Sequence, residues 1–425
     1  MRAALWLTAL FAIAVASALF VGSNHGTVTV YWHPYRVDLS LNLVVVGVVA
    51  SFIILHGAMR ALSALLNIPQ QARNWRLLQK ERAMHAALLD ALSHLSAGRF
   101  VRSRKAAELV VSLEESVERS GARLAYAGRL RALSHLLAAE SAHAVQDRVV
   151  RDAHFQLALD ESVRRDAQDV RDGVYLRAAR WAFEDRDAGA ALQWLDQLPH
   201  GAARRTAALR LRFKAARLGG QSQMALDTVR LLTKHRAFSE AAGKSIARGL
   251  ALEMVRSAHD PVQVQRVWDA LDRSEQQLPE VAVAAAMRLL AQDGDALIAR
   301  RWLLPVWEAM VVRREAMTLG QRVALVQVLE HSFAVSGGAP DAAWLGRIEA
   351  AQMANPRDAV LQYLAGVVCM RLRLWGKAQQ MLRQSLSMPE DSELRRDAWL
   401  ALAELAEQRQ DTQAATQAYR EAAKR

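Results

Sequence analysis

His135 and His143 stand eight residues apart, close enough in a helix to share a face, and His85 and His94 do so less well. Two imidazoles on one face are what a transition-metal or haem iron takes as ligands. None of these spacings is a recurring ligand pattern, so the expectation is ordinary surface or core histidines and no metal site. Haem or porphyrin binding stays open as an alternative. Cys369 is the one cysteine, which excludes intramolecular disulfides, Cys-rich zinc sites and CxxCH attachment. It sits in a helical run, Tyr363–Arg371, and reads as a small buried core residue. No G-x-G-x-x-G follows a strand, and G-x-x-x-x-G-K-[ST], H-E-x-x-H and G-x-S-x-G are all missing. No catalytic residue is expected, and the chain does not read as an enzyme.

The elements that position these residues begin with two apolar runs. Residues 3–22 carry no charge, and 20 helical residues reach roughly 30 Å, the thickness of a bilayer core. Residues 39–59 hold only Ser40, Asn42, Ser51 and His56 as polar side chains. We read them as a two-helix transmembrane hairpin. Its connection has a strand-like centre, Thr27–Trp32, and Tyr31, Trp32 and Tyr35 suit a membrane–water interface. The connection carries only Arg36, whereas Arg60, Arg73, Arg76, Lys80 and Arg82 follow the second run. The positive-inside rule then puts both ends of the chain in the cytoplasm and the connection outside. A competing reading takes the first run as a cleaved signal peptide, with Ala14, Ala16, Ser17 and Ala18 near the cut. That run exceeds the usual apolar length of such peptides. His56 lies about one turn from Arg60 and reads as an interfacial side chain.

Charge sharpens this picture. The chain carries a formal +12. Between Arg60 and Lys105 there are nine basic residues and two acidic ones, Glu81 and Asp90. Arg60, Arg73, Arg76, Lys80 and Arg82 form a basic collar expected to face anionic lipid, at on the order of 1 kcal/mol per cation near the surface. Further on, acidic residues are interspersed with basic ones and no basic block interleaves with aromatics, so nucleic acid is not an expected partner. Pro69 is expected to end the helix that leaves the membrane, with a new helix from Gln71.

The remainder is rich in Ala and Leu, and hydrophobic residues reach 52% with aromatics at only 6%. That composition favours helix and lacks the β-branched and turn content of sheets. Self-similarity at 34–37 residues appears. Gly366 takes the small position of one first helix, and Trp375, Ala378 and Leu382 follow on its partner. Trp399 and Ala403 line the next first helix, and Ala415 and Tyr419 its partner. Ala190 and Ala225 mark weaker units, and 237–279 and 311–354 read as degenerate repeats or inserted helices. The fold expected is all-α: the transmembrane hairpin, then a TPR-like α-solenoid. Its divisions are 1–62 for the hairpin, 63–105 for the neck and a worn first repeat, 106–360 for degenerate repeats and 361–425 for the clearest ones. One helix pair cannot bury its own apolar face, so pairs stack and expose a surface for protein partners.

This layout resembles the HemY family. The features that carry the resemblance are Gly26-Thr27-Val28-Thr29-Val30 and Val37-Asp38-Leu39-Ser40 between two spans, a basic neck, and Gly98-Arg99-Phe100 opening a worn repeat array. Trp268-Asp269-Ala270-Leu271 with the helix Val281–Leu290 looks like that family's middle region. The chain lacks the dinucleotide fingerprint required by the flavin-dependent protoporphyrinogen oxidase that shares the name. The resemblance implies a proteobacterial inner-membrane protein with an accessory role in late porphyrin or haem synthesis. It implies haem-biosynthesis enzymes as partners at the cytoplasmic face. It brings no catalytic residues with it. A general membrane-protein assembly scaffold stays open as a further alternative.

Overall fold

The computed structural model describes Ile13 and residues 26–122, 124–334, 342–386 and 392–424. The expected first span lies, apart from Ile13, outside the described residues. The chain divides into two compact units, Met1–Val170 and Arg171–Arg425.

In the first unit, β1 (Thr27–Trp32) and β2 (Tyr35–Ser40) form an antiparallel hairpin with Thr27 opposite Ser40 and Trp32 opposite Tyr35. Its turn contains a cis His33–Pro34 bond. Ser40 then caps α1 (Leu41–Ser96), its hydroxyl accepting from the Leu43 N–H at 3.3 Å. The expected second span, 39–59, is therefore shifted: Leu39 and Ser40 belong to the hairpin, and the apolar span is Leu41–Ser63. A serine oxygen that satisfies an orphan N–H marks the true helix start.

A second correction concerns Pro69. Helix α1 runs through it without a break for 56 residues. A proline removes one backbone donor and crowds one turn, and strong helix formers on both sides carry the helix across that local loss. Helices α2 (Phe100–Arg119), α3 (Ala127–Ala144) and α4 (Arg148–Ser162) then pack as successive neighbours. Their shared core is made of small residues, Ala91, Ala107 and Ala138, and of Met84, Val110 and Leu130, all buried. Alanines at the crossings let the axes approach closely. Two of the hydroxyls that fall inside are satisfied, Ser141 donating to Ser103 and Ser103 to the Ala91 carbonyl at 2.8 Å, whereas the buried Ser134 hydroxyl has no hydrogen-bond partner.

The second unit is built from α5 (Gln168–Glu184, entering from the first unit), α6 (Ala188–Asp196), α7 (Thr206–Leu218), α8 (Ser222–Lys234), α9 (Glu240–Ser257), α10 (Pro261–Ala270), α11 (Pro279–Ala291), α12 (Ala296–Val312), α13 (Leu319–Ala334), α14 (Ala342–Ala354), α15 (Ala359–Arg371), α16 (Trp375–Leu386), α17 (Ser392–Gln408) and α18 (Thr412–Ala423). Pairs such as α7–α8, α11–α12, α15–α16 and α17–α18 pack against each other. The helices α9, α11, α13, α15 and α17 lie side by side as a row. The segments that match the repeat poorly in sequence, 237–279 and 311–354, supply members of this same row. One continuous core runs from Ala216 to Ala418, with Trp268 stacked on Trp302 at 4.6 Å between centroids.

A single turn geometry ends many of the first helices. Gln146, Arg186, Gly220, Asp293, Arg373 and Gln410 all have φ between +55° and +67°. The next residue donates five positions back, as Asp187 to Ala182 at 2.8 Å and Asp411 to Ala406 at 2.9 Å. This is a left-handed helix stop that satisfies orphan carbonyls. In three cases the following aspartate caps the partner helix: Asp147 accepts from Val150, Asp187 from Ala190 and Asp411 from Ala414. Stop and start thus occupy two residues, which keeps each pair tight.

Candidate functional site

Among the described residues, α1 carries the one stretch long and apolar enough to cross a membrane. Its Leu41–Ser63 span is uncovered by the rest of the chain. Arg60, Arg73, Arg76 and Arg82 are exposed along it. Lys80 differs, being half-buried with its ammonium donating to the Ser116 carbonyl at 3.3 Å. From Arg60 to Arg82 the helix advances roughly 33 Å. The collar is therefore a ladder along one axis rather than a ring at one height. Only cations within about 10 Å of a leaflet gain from its potential.

His135 and His143 do not come together. His135 meets His154 of α4 instead, with Nδ1–Nδ1 at 3.1 Å and centroids 5.4 Å apart. His143 lies 3.3 Å from an Arg151 guanidinium nitrogen. His154 Nε2 lies 3.4 Å from a Glu108 oxygen. Burial first, then His154 and Arg131, push the His135 pKa down to about 4. His85 stacks on Tyr126 rather than facing His94. The Tyr126 hydroxyl donates to Glu81, and burial with that carboxylate pushes it up to about 12. Among the described residues no group of three or more His, Cys, Asp or Glu side chains could hold a metal ion. Cys369 is buried, which raises its thiol pKa.

The second unit presents a polar cleft of about 540 Å³ on the row α11, α13, α15 and α17. Tyr363 of α15 donates to Glu330 of α13 at 2.6 Å, and Gln327 to Asp397 of α17 at 2.9 Å. Arg371, Arg396 and Glu404 complete the wall. Burial raises the Glu330 carboxyl, with Tyr363 opposing and Asp397 adding to the rise. Burial and Glu330 also push the Tyr363 phenol well up. Carboxylates, guanidinium groups and an amide side by side can hydrogen-bond the backbone and polar side chains of an extended segment. Among these lining residues no nucleophile–base–orienter arrangement is present.

The repeat residues hold this row in place. A Cβ on Gly366 would meet Leu382 Cγ at 2.7 Å, so only glycine lets α15 and α16 cross this closely. Ala378, Leu382, Ala403 and Ala415 are buried, and Trp375 and Trp399 pack half-buried on the core. Tyr419 lies exposed on α18 and donates to Glu407 at 3.1 Å. Sequence reasoning missed the brace between α13 and α15. There Arg322 pairs with Asp358, both under 6% exposed, and Asp358 also accepts from the Val360 and Leu361 amides. Asp358 was findable as a helix cap before an apolar run. Its arginine, 36 residues earlier, carries no local signal. The Gln-Asp and Arg-Asp pairs at helix ends were a second overlooked signal.

Residues 26–146 match the family model described as the HemY protein N-terminus. The match covers the hairpin and α1 to α3, ending at the left-handed Gln146, and this region is similar to that family, as its layout suggested. No curated protein matches the chain. Among solved structures, the APC/C hetero-tetramer Cut9-Hcn1 is similar at 12% identity, covering 80% of this chain and 66% of that one, TM-score 0.29. Yeast Tom70 is similar at 13% over 77% and 65%, TM-score 0.29. The human IFIT1 dimer is similar at 13% over 73% and 71%, TM-score 0.26. The chain spans less than two-thirds of the length of the first two. At these scores the likenesses carry no argument, and the helical-pair fold rests on the chain's own packing.

Proposed function

With a HemY-type N-terminal region as the premise, we propose that this chain is a membrane-anchored helical-repeat scaffold. It organises or regulates late porphyrin and haem biosynthesis enzymes at the cytoplasmic face of a bacterial inner membrane. The observation that carries the reading is α1 itself. One unbroken helix joins an uncovered 23-residue apolar span to Met84, the first buried residue of the repeat body. The helical core of the first unit is therefore reached roughly 30 Å of helix beyond Ser63. The cleft on α11, α13, α15 and α17 supports the reading as the partner-binding face. The basic ladder on α1 would engage anionic lipid, and the expected first span would return the N-terminus to the cytoplasm.

The reading assigns no turnover to the protein. Crosslinking in intact membranes, then detergent extraction of the tagged chain and mass spectrometry, tests it. Late haem-pathway enzymes joined to α13, α15 or α17 support it. Their absence, with other envelope proteins dominating, refutes the haem assignment. Porphyrin conversion by the purified chain alone refutes the scaffold role.

A further inference from the structure

Helix α1 has a second face. Its cytoplasmic half buries Met84, Ala87 and Ala91 against the first unit's own helices. On the other side Trp75, Leu78, Arg82, His85, Leu89 and Leu92 follow one another at alternating steps of three and four, with His85 at the edge, stacked on Tyr126 of its own chain. All six are exposed, and Trp75, Leu78, Leu89 and Leu92 by 61, 52, 66 and 43%. Apolar residues in this 3–4 alternation are the a and d positions of a heptad repeat.

Carried back into the span without changing phase, the same heptad falls on Gly47, Ala50, Ile54, Gly57 and Ala61. A Cβ placed on either Gly47 or Gly57 would meet nothing within 4 Å. In lipid, where no hydrophobic force drives helices together, small seam residues let two backbones approach and gain dispersion contact. In water, large apolar ones do the work. One face therefore changes character where its surroundings change. We propose that α1 is a dimer seam, along which two copies of this chain pack in parallel from Gly47 to Leu92.

Charge fits a second copy. Arg73, Arg76 and Lys80 lie at outer heptad positions, off the seam. The flanking e and g positions between residues 72 and 95 are uncharged except Glu81. Arg82, at an a position, meets Arg82 of the other copy, and the g-position Glu81 of each copy, which accepts from its own Tyr126 through one oxygen, flanks that pair with its negative charge, twice by symmetry. Area fits as well. The four large side chains leave on the order of 400 Å² uncovered per chain, so about 800 Å² for a symmetric pair before the span is added, against the ~1,000 Å² a specific interface needs. The membrane sets both spans at one depth and direction, which fixes a parallel, in-register pair. The strict seven-residue period gives it a left-handed supercoil. The expected first span, 20 residues long, would compete for the span half alone and would leave Trp75 to Leu92 bare.

Disulfide mapping in native membranes tests this. Cys369 is buried, so an introduced cysteine is the accessible thiol. Leu78→Cys and Leu89→Cys, both at seam positions, should give the crosslinked dimer on mild oxidation. Ala83→Cys, at an outer position, should not. Equal crosslinking at Ala83, or a dimer at Gly57→Cys without one at Leu78 or Leu89, would overturn the continuous seam. The mass of the detergent-extracted chain gives an independent check. The Leu78→Asn/Leu89→Asn variant should halve the particle mass while keeping wild-type helicity, since both side chains are exposed. A wild-type monomer that also fails to crosslink would overturn the proposal.

Discussion

The Arg322–Asp358 brace gives the sharpest stability prediction. Both side chains are buried, one on α13 and the other capping α15. Asp358→Asn keeps an oxygen for the Val360 and Leu361 amides and so keeps the cap. It leaves the guanidinium buried without its anion, which costs about 3–5 kcal/mol. For a unit of this size that corresponds to a fall in Tm of roughly 6–20 °C. Arg322→Met should cost less, because the Asp358 carboxylate retains two amide donors at a helix N-terminus. The double variant Arg322→Met/Asp358→Asn buries no charge and should recover most of the loss. Tryptophan fluorescence during heating is the assay, since eight of the eleven tryptophans belong to the second unit. A shift below about 2 °C for Asp358→Asn would refute the reasoning. So would a double variant less stable than Asp358→Asn alone.

Other outcomes follow from particular contacts. Gly366→Ala places a methyl against Leu382 and should destabilise by about 1–3 kcal/mol, read as a lower midpoint in urea; an unchanged midpoint would show that α15 and α16 separate freely. Gln410→Gly relieves a left-handed conformation on an exposed turn and should raise Tm by an amount equivalent to about 0.5–1 kcal/mol, whereas a decrease would mean the glutamine side chain matters there. The His135 pKa is held near 4, below its ordinary 6.5, so between those values the unfolded chain binds more protons than the folded one. Stability of the first unit should therefore fall as pH drops from 6.5 towards 4. His135→Gln should flatten that slope in a Tm-against-pH series, and a slope unchanged by the substitution would remove His135 as its source.

Local chemistry made much of this protein legible in its sequence. The Leu41–Ser63 span is a matter of composition and length, and it stands out because nothing else in the chain needs to be known to recognise it. The all-helical body follows from Ala and Leu content, and Gly366 with Ala378 and Leu382 announces a close helix crossing through residue size alone. Even Ser40 and Asp358 signal helix starts, since a cap satisfies an amide only three residues away. Tertiary structure decided the rest, because partners far apart in sequence leave no local trace. His135 turns to His154 on the next helix, not to His143 on its own. Arg322 finds Asp358, and Glu330 finds Tyr363, more than 30 residues on. The passage of α1 through Pro69 was settled by the same rule: a local breaker states a cost of a few kcal/mol, and only the whole helix, with everything packed along it, decides whether that cost is met.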